Sequence, residues 1–513
     1  MKNVLGVALP EQINGIGAIK PFDGKRHGGT PQEGALKAPE GRNNKLLTSL
    51  EEAVKLSGLK DGMTISFHHH FRGGDYIVNM VVDLLAKMGY KDLVLAASSL
   101  TDCHAPLIEH IKSGVIKRIE TSGMRGDLAK AVSGGLMDIP VIFRSHGGRA
   151  RAIAKGELHI DVAFLGAPSC DCAGNANGVN RDGDTSYDCG SLGYAMPDAH
   201  AADTTIIITN HLVNYPNTPS AIPEVDVDYV VQIDEIGNPA KISSGATRFT
   251  TNPRELKIAQ MAADVMEHSG YFNDGFSFQT GTGGASLAVT RFLRDKMIAK
   301  DIKANFALGG ITGAMVKLHE EGLIKKLLDV QDFDLEAVRS VRENISTHTV
   351  VSGHHYAGPG YEGSAVDQLD MVVLSALEVD TQFNVNVITG SDGVIMGAIG
   401  GHPDTASGAK MTVIVAPLIR GRIPTILDRV NAIVTPGSTV DVLVTEYGIA
   451  VNPLREDLIA RFTEAGIKLN TITELQKMAE DIVGKPEPIV YKEKIVGLVY
   501  YRDSSVIDVI REV

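Results

Sequence analysis

The chain repeats itself. HIDVAFLGAPSCDCAGN returns as QLDMVVLSALEVDTQFN, with Asp161 matching Asp370, Ala167 matching Ala376, Asp171 matching Asp380 and Asn175 matching Asn384, each pair 209 positions apart. In ISFHHHFRGG and FSFQTGTGG, Ser66 and Phe67 match Ser277 and Phe278 at a separation of 211. Gly73 and Gly74 match Gly283 and Gly284 at 210, after a slip of one residue. Gly114 and Lys117 match Gly322 and Lys325 at 208. Three separate stretches with nearly one offset mark a tandem duplication. The unit is about 210 residues long, with a boundary near Ser243–Asn252.

The unit is of α/β type. LLTSLEEAVKLSGL has helical spacing, DGMTISF is a turn and a strand, YIVNMVVDLLAKMGY is an amphipathic helix, and DLVLAASSL is a buried strand. That alternation runs nearly to the end and predicts mostly parallel sheets. The last segment, IVYKEKIVGLVYYRDSSVIDVIREV, is rich in β-branched residues and tyrosine with turn breaks, and predicts antiparallel strands. The expected organisation is an irregular arm over residues 1–45, lying on a neighbouring surface or subunit, then α/β domains over 46–250 and 251–513.

A formal net charge of −13 argues against a general nucleic-acid binder, so an anionic substrate must be met by a local basic cluster. No apolar run reaches membrane-spanning length, and MKNVLGVALPEQ lacks the apolar core of a secretory signal, so a cytoplasmic protein is expected. Cys103, Cys170, Cys172 and Cys189 do not have structural-zinc spacing and read as reduced thiols.

Four segments are candidates for chemistry. The loop His68, His69, His70, Arg72, Gly73 and Gly74 leads from a strand into a helix, a place where backbone N–H groups meet an anion. Successive side chains of an extended segment face opposite ways, so three adjacent imidazoles do not share one metal ion, and no metal is expected. Its twin, QTGTGGA with Gly283 and Gly284, leads into the helix expected at Ser286–Lys296, which suggests a site between the halves. RSHGGRAR, with Arg144, His146 and Arg149, forms a basic segment suited to carboxylate or phosphate, or else a solvated basic face. GAIGGHPD, with Gly397, Gly400, Gly401 and His402, can bring N–H groups to a developing oxyanion, or be a tight turn. VLVTEYGIA reads as a buried strand ending in a turn, and SGHHY (352–356) is a weaker polar candidate. No nucleophile elbow, Walker loop or HExxH is present.

DVAFLGAPSCDCAGN, LEVDTQFNVN, GAIGG and VTEYGIA resemble the CoA-transferase and acetyl-CoA hydrolase superfamily. RSHGGRARAI, HHHFRGGD, GAIGGHPD and GLVYYRDSSVIDVIR resemble its citrate lyase alpha-subunit family, over essentially the whole chain. The resemblance implies exchange of citrate for the acetyl group on an acyl carrier protein, giving a citryl thioester and acetate. It implies a beta subunit and a gamma (acyl carrier) subunit as partners, and citrate and acetyl-CoA as ligands. The co-substrate is CoA or the carrier's CoA-like prosthetic group, with no covalently bound cofactor, and a homo-oligomer within a larger complex is expected. Many superfamily members use a glutamate nucleophile before a methionine. The corresponding stretch, LGGITGAM, has Ala314 at that place, with Glu320 and Glu321 nearby. The implied route is direct attack by a citrate carboxylate through a mixed anhydride, which needs no base because the carboxylate is already ionised. Citrate is then expected on His68–Arg72, Gly73, Gly74, Arg144, His146, Arg149 and His402. The thioester is expected to face N–H donors of Gly283–Gly284 and Gly397–Gly401. A glutamate-dependent transferase or hydrolase is the alternative enzyme, and a ligand sensor or scaffold the alternative outside catalysis.

Overall fold

Two sheets with matching strand orders organise the computed structural model. It describes residues 45–513 except 182, 244–249, 282 and 361–362, together with a short antiparallel pair, Gln12–Ile13 with Gly17–Ala18. The rest of the expected N-terminal arm, and 244–249 of the expected boundary, lie outside the described residues. Leu47–Val513 forms one unit of packed structure.

One sheet contains, in order, Val506–Arg511, Ile495–Tyr500, Val141–Arg144, Ile116–Thr121, Leu93–Ala97, Thr64–Phe67, Val162–Gly166, Thr204–Thr209 and Tyr229–Gln232. The other contains His348–Val350, Ile324–Asp332, Ala304–Ile311, Ser277–Thr280, Met371–Ser375, Met411–Val415, Val442–Thr445, Gly448–Val451 and Leu469–Asn470. The seven strands from Val141–Arg144 to Tyr229–Gln232 correspond, in order, to the seven from His348–Val350 to Val442–Thr445. Most neighbours pair parallel, as the strand–helix alternation predicts. Strands such as Val162–Gly166 and Met411–Val415 are buried at every residue, because helices cover both sheet faces.

The repeated residues make repeated bonds. Asp161 Oδ2 accepts from the Thr64 N–H at 2.7 Å, and Asp370 Oδ2 accepts from the Ser277 N–H at 2.8 Å. Asp171 Oδ1 accepts from the N–H groups of Ala173, Gly174 and Asn175, while Asp380 Oδ1 accepts from those of Gln382 and Asn384. Asn175 and Asn384 each return an Nδ2–H to the other carboxylate oxygen. These Asx turns close a small three-stranded sheet in each half. The duplicated letters are therefore those that set strand entry and the turn behind it.

Local rules explain the helices around the site. Ile77–Lys87 buries Ile77, Val78, Val81, Val82 and Leu85, an i, i+4 stripe. Asp75 accepts from the Val78 N–H to start it, and Gly89, at φ 89°, follows its end. The basic segment RSHGGRAR is helical almost from its start. Ser145 caps His146–Ala154 by accepting from the Gly148 N–H, and Asp404, from the other half, accepts from the Gly147 N–H. Two consecutive glycines are poor helix formers, so the pattern of RSHGGRAR does not mark this start, which Ser145 caps locally and Asp404 braces from 257 positions away.

The C-terminal strands Ile495–Tyr500 and Val506–Arg511 pair antiparallel, as expected. They join the sheet of the first half, where Gly497 to Tyr500 run parallel to Val141–Arg144. A division of the sequence at residue 250 therefore does not divide the two sheets.

Candidate active site

A cavity of about 540 Å³ lies between the halves. His69, Arg72 and Gly73 line it from one twin loop, and Gln279, Thr280 and Gly281 from the other. His146, Tyr194, Gln331, Phe333, Tyr356 and Ala398–His402 also line it. The GAIGG loop is fixed by the first half. Met124 N–H donates to the Gly397 carbonyl, Ile399 N–H to that of Ser122 at 2.7 Å, and His146 N–H to that of Gly400 at 2.9 Å. Neither Gly400 nor Gly401 donates its N–H to an acceptor among the described residues. Gly401 is packed so closely on the Tyr356 hydroxyl that a Cβ would collide with it.

Arg72 is the dominant electrostatic feature. It is 8 % exposed, its guanidinium carbon lies 4.5 Å from the Phe333 ring centroid, and Nη1 has no hydrogen-bond partner. Burial, with the nearby charge of Arg125, lowers its pKa to about 10, so it stays cationic at neutral pH. No carboxylate among the described residues pairs with it. Arg125 and Lys241 line the cavity and are exposed. Among the described lining residues Asp102, also exposed, is the sole carboxylate, against these three cations. A chain of negative net charge thus carries a cationic pocket, and a buried cation without a counter-ion favours an incoming anion.

The three histidines separate as the alternation of side chains requires. His69 lines the cavity, with Nδ1 2.6 Å from Ser98 Oγ and its ring stacked 5.4 Å from that of Tyr194. His70 lies away from the lining and donates Nε2–H to the Gly166 carbonyl at 2.8 Å. His68 is also outside the lining, with neither ring nitrogen hydrogen-bonded. His146 reaches the cavity against Tyr194, and its Nδ1 has no partner. Burial, with the charge of Arg149, lowers the His146 pKa to about 3, and burial lowers that of His70 to about 3. His402 lines the cavity but both nitrogens are engaged. Nε2–H donates to the Ser375 carbonyl and Nδ1 accepts from Thr435 Oγ1, and burial lowers its pKa to about 4. His402 holds the loop and has no ring nitrogen left for a ligand.

The structure does not bring Arg144 and Arg149 to the cavity. Arg144 donates to Glu120 at 2.9 Å and to Ser504, and stacks on Tyr500 of the C-terminal hairpin. Arg149 makes a bidentate pair with Asp198 at 2.6 and 2.7 Å, at 4 % exposure. Both are structural cations, each paired with a buried carboxylate. Gly74, Gly283 and Gly284 are also outside the lining. A Cβ on Gly74 would meet Asn238 O, on Gly283 Ser375 Oγ, and on Gly284 Glu255 Oε2, so these glycines serve close packing. Glu446 and Tyr447 of VTEYGIA sit in a hairpin turn outside the lining. Tyr194, Gln331, Phe333, Arg125 and Lys241 were not singled out from sequence. Gln279 opens the QTGTGGA loop, and Tyr356 closes the weaker candidate SGHHY. The Tyr356 hydroxyl accepts from Gln279 Nε2 at 3.2 Å.

The glutamates near the superfamily's nucleophile position face away. Glu320 pairs with Arg339 at 2.8 Å and Glu321 with Arg294, both on the surface. Ala314 is buried in the helix Gly313–Glu320 and does not line the cavity.

The model of the family described as citrate lyase, alpha subunit, matches residues 43–513. The chain belongs to the citrate lyase alpha-subunit family. It is 58% identical over 476 residues to the citrate lyase alpha chain of Escherichia coli (strain K12), covering 93% of this chain and 92% of that one. It is 59% identical over 474 residues to that of Klebsiella pneumoniae, covering 92% of each. A crystal structure of the putative alpha subunit of citrate lyase from Streptococcus mutans in complex with citrate matches at TM-score 0.90 and 56% identity, over 100% of both chains. A 4-hydroxybutyrate CoA-transferase from Porphyromonas gingivalis, at 16% identity and TM-score 0.53 over 86% of this chain and 97% of that one, shares the fold alone. Membership of the family fits the expected α/β duplication and the expected citrate lyase alpha-subunit assignment. Among the described residues no helix is long and apolar enough to cross a membrane.

One prediction follows from the buried imidazoles. Folded-state pKa values of about 3 to 4 for His70, His146 and His402 lie below the unfolded value of about 6.5. Their contribution to stability is complete above about pH 6.5 and is lost as pH falls toward 4. NMR of Cε1-labelled histidine is expected to keep these three resonances at neutral-imidazole shifts at pH 5. A midpoint near 6.5 for any of them would contradict the geometry.

Proposed function

We propose that this chain exchanges citrate for the acetyl group of an acetyl thioester, on an acyl carrier protein or on CoA, within a citrate lyase assembly. Arg72 is the observation that carries the reading: a buried, unpaired guanidinium in a cavity with an excess of cations. Citrate is a polyanion that satisfies it. In this reading the two halves, 46–250 and 251–513, each supply one wall. Arg72, His69 and His146 hold the citrate carboxylates, and Arg125 and Lys241 at exposed lining positions meet the negatively charged thioester arm. The reaction supplies the beta subunit, as a cleaving partner, with a citryl thioester, and a gamma subunit carries the thiol.

The chemistry needs no enzyme nucleophile. A citrate carboxylate oxygen attacks the acetyl carbonyl, and the thiolate leaves, forming a mixed citric–acetic anhydride. The thiolate then attacks the citryl carbonyl, and acetate departs with the electron pair. Both steps pass through an oxyanion, for which the unengaged N–H groups of Gly400 and Gly401 are suited donors. Each well-placed donor stabilises such a state by about 3–4 kcal/mol. Orientation between the two walls contributes further. No glutamate is among the described lining residues, which supports this route over a glutamyl-enzyme thioester.

Two measurements test it. Acetate release from citrate plus acetyl-CoA tests the exchange itself, and its absence would remove the enzymatic reading in favour of a sensor or scaffold. Glu320→Gln and Glu321→Gln are expected to keep kcat/KM within about twofold, as surface changes do. Borohydride after acetyl-CoA addition is expected to leave every glutamate unmodified. A stoichiometric glutamate adduct would sink the anhydride route and leave the exchange standing.

A further inference from the structure

Behind the wall that carries Gln331, two carboxyl groups and an imidazole converge with more acceptor atoms than surrounding N–H and hydroxyl donors. Asp329 and Asp332 flank Gln331 on the strand Ile324–Asp332, and His348 opens the neighbouring strand His348–Val350. None of the three is more than 2 % exposed. Residues three apart on a regular strand face opposite sides. Here a bulge intervenes, with Gly309 opposite Asp329 and Gly310 opposite Gln331, so Val330 is the extra residue. It brings both carboxylates to one side, where their ligating atoms and that of His348 lie within 4.8 Å of one another.

The hydrogen bonds leave this cluster short. Asp332 Oδ2 accepts from the Ser191 N–H at 2.8 Å, but Asp332 Oδ1 and Asp329 Oδ1 are buried and meet no N–H or hydroxyl donor, so a proton shared between the two carboxyls or an ion must satisfy them. His348 Nδ1 lies 2.8 Å from Ser340 Oγ, and Nε2 lies 3.2 Å from Asp329 Oδ2. In the tautomer with Nδ1–H donating to Ser340, the Nε2 lone pair is directed at the carboxylates, the arrangement that suits a metal-binding imidazole; in the other, Nε2–H donates to Asp329 Oδ2. Burial raises the Asp329 pKa to about 7 and pushes that of Asp332 well up, so the cluster without an ion must retain protons.

We infer that Asp329, Asp332 and His348 bind one divalent cation of the class that accepts both imidazole nitrogen and carboxylate oxygen, with zinc as its type. Two carboxylates neutralise its charge. The imidazole disfavours calcium and magnesium, which take oxygen ligands. Bonds of about 2.0–2.2 Å let one ion bridge the three groups after small side-chain rotations. The site has a structural position. Ser191, from the first half, bonds Asp332 through N–H and the Asp329 carbonyl through Oγ, while Gln331 Nε2 donates to the His69 carbonyl. An ion there staples the halves beside the cavity without touching its contents. Binding displaces protons from the carboxylates, so affinity rises with pH.

The test is zinc content and thermal stability of the tag-free full chain, each independent of activity. The surface group His159, Asp161 and Asp203 could hold adventitious zinc, so His159→Ala is the background. That protein is expected to keep about one zinc per chain after dialysis. EDTA is expected to remove it and lower Tm, and zinc to restore both, more tightly at pH 8 than at pH 6. Asp332→Asn and His348→Gln on the same background are expected to reduce the zinc content to zero. No zinc in the His159→Ala protein, together with no Tm response to EDTA or added zinc, overturns the site and leaves the cluster as carboxylates that share protons. Zinc content unchanged by both substitutions overturns it equally. If neither variant folds, the EDTA and zinc titration of the His159→Ala protein decides alone.

Discussion

Arg72→Gln lowers kcat/KM for citrate by roughly 10²–10³-fold, while Tm stays constant or rises. The two halves of that result have one cause. Removing one member of a buried charge pair costs about 2–5 kcal/mol in the complex. Among the described residues Arg72 has no counter-ion, and burial, which lowers its pKa to about 10, already penalises the charge. Truncation therefore costs the free protein little and relieves desolvation. Arg72→Lys retains the charge but not the planar fork over Phe333, and is expected to fall between the wild type and Arg72→Gln. Steady-state kinetics beside thermal unfolding checks this. A loss of activity matched by a fall of Tm would show Arg72 to be structural. Unchanged kcat/KM would show that citrate is held elsewhere.

Sequence placed the twin loops and the GAIGG loop because each is marked locally by glycine, and the twin loops also by each other. It could not rank the arginines. Arg72, Arg144 and Arg149 all sit beside glycines, and what separates them is distant. Glu120 is 24 positions from Arg144, and Asp198 is 49 from Arg149. Arg72 meets an aromatic ring, Phe333, and no carboxylate among the described residues. A carboxylate already in place decides that a guanidinium is structural, and only tertiary pairing reveals it. Gln331 reaches the cavity beside a bulge, which shifts side-chain facing by one residue and erases the period-two signal. The C-terminal strands were legible as strands from their β-branched residues, but their sheet was not. The pairing of Tyr500 with Arg144 depends on the fold of the whole chain. The duplication was the most legible feature because it needs no physics of distance, and the Asp161 and Asp370 bonds show what it conserves between the halves.

Asp404→Ala destabilises the protein by about 3–5 kcal/mol and removes activity with it. Asp404 is fully buried, on the helix that follows the GAIGG loop. Its Oδ1 accepts from Ser145 Oγ at 2.9 Å and from Arg502 Nε at 3.1 Å, and its Oδ2 from the Gly147 N–H at 2.9 Å. One carboxylate thus joins the GAIGG helix, the N-terminus of the His146 helix and the C-terminal hairpin. Burial raises its pKa even with Arg502 beside it, so the ion pair does not repay the full cost of desolvation. Breaking it is still costly, because Arg502, 8 % exposed, is then buried without a counter-charge. Asp404→Ala with Arg502→Ala is therefore expected to lose less than the sum of the single changes, by at least about 1 kcal/mol. Additive losses in denaturant unfolding would mean that the two residues act separately. A stable Asp404→Ala protein with normal exchange would mean that the geometry of His146 against Gly400 is set by the backbone bond between them alone. The expected coupling places the cost at the junction of three segments, with Asp404 257 positions from Gly147 and 98 from Arg502.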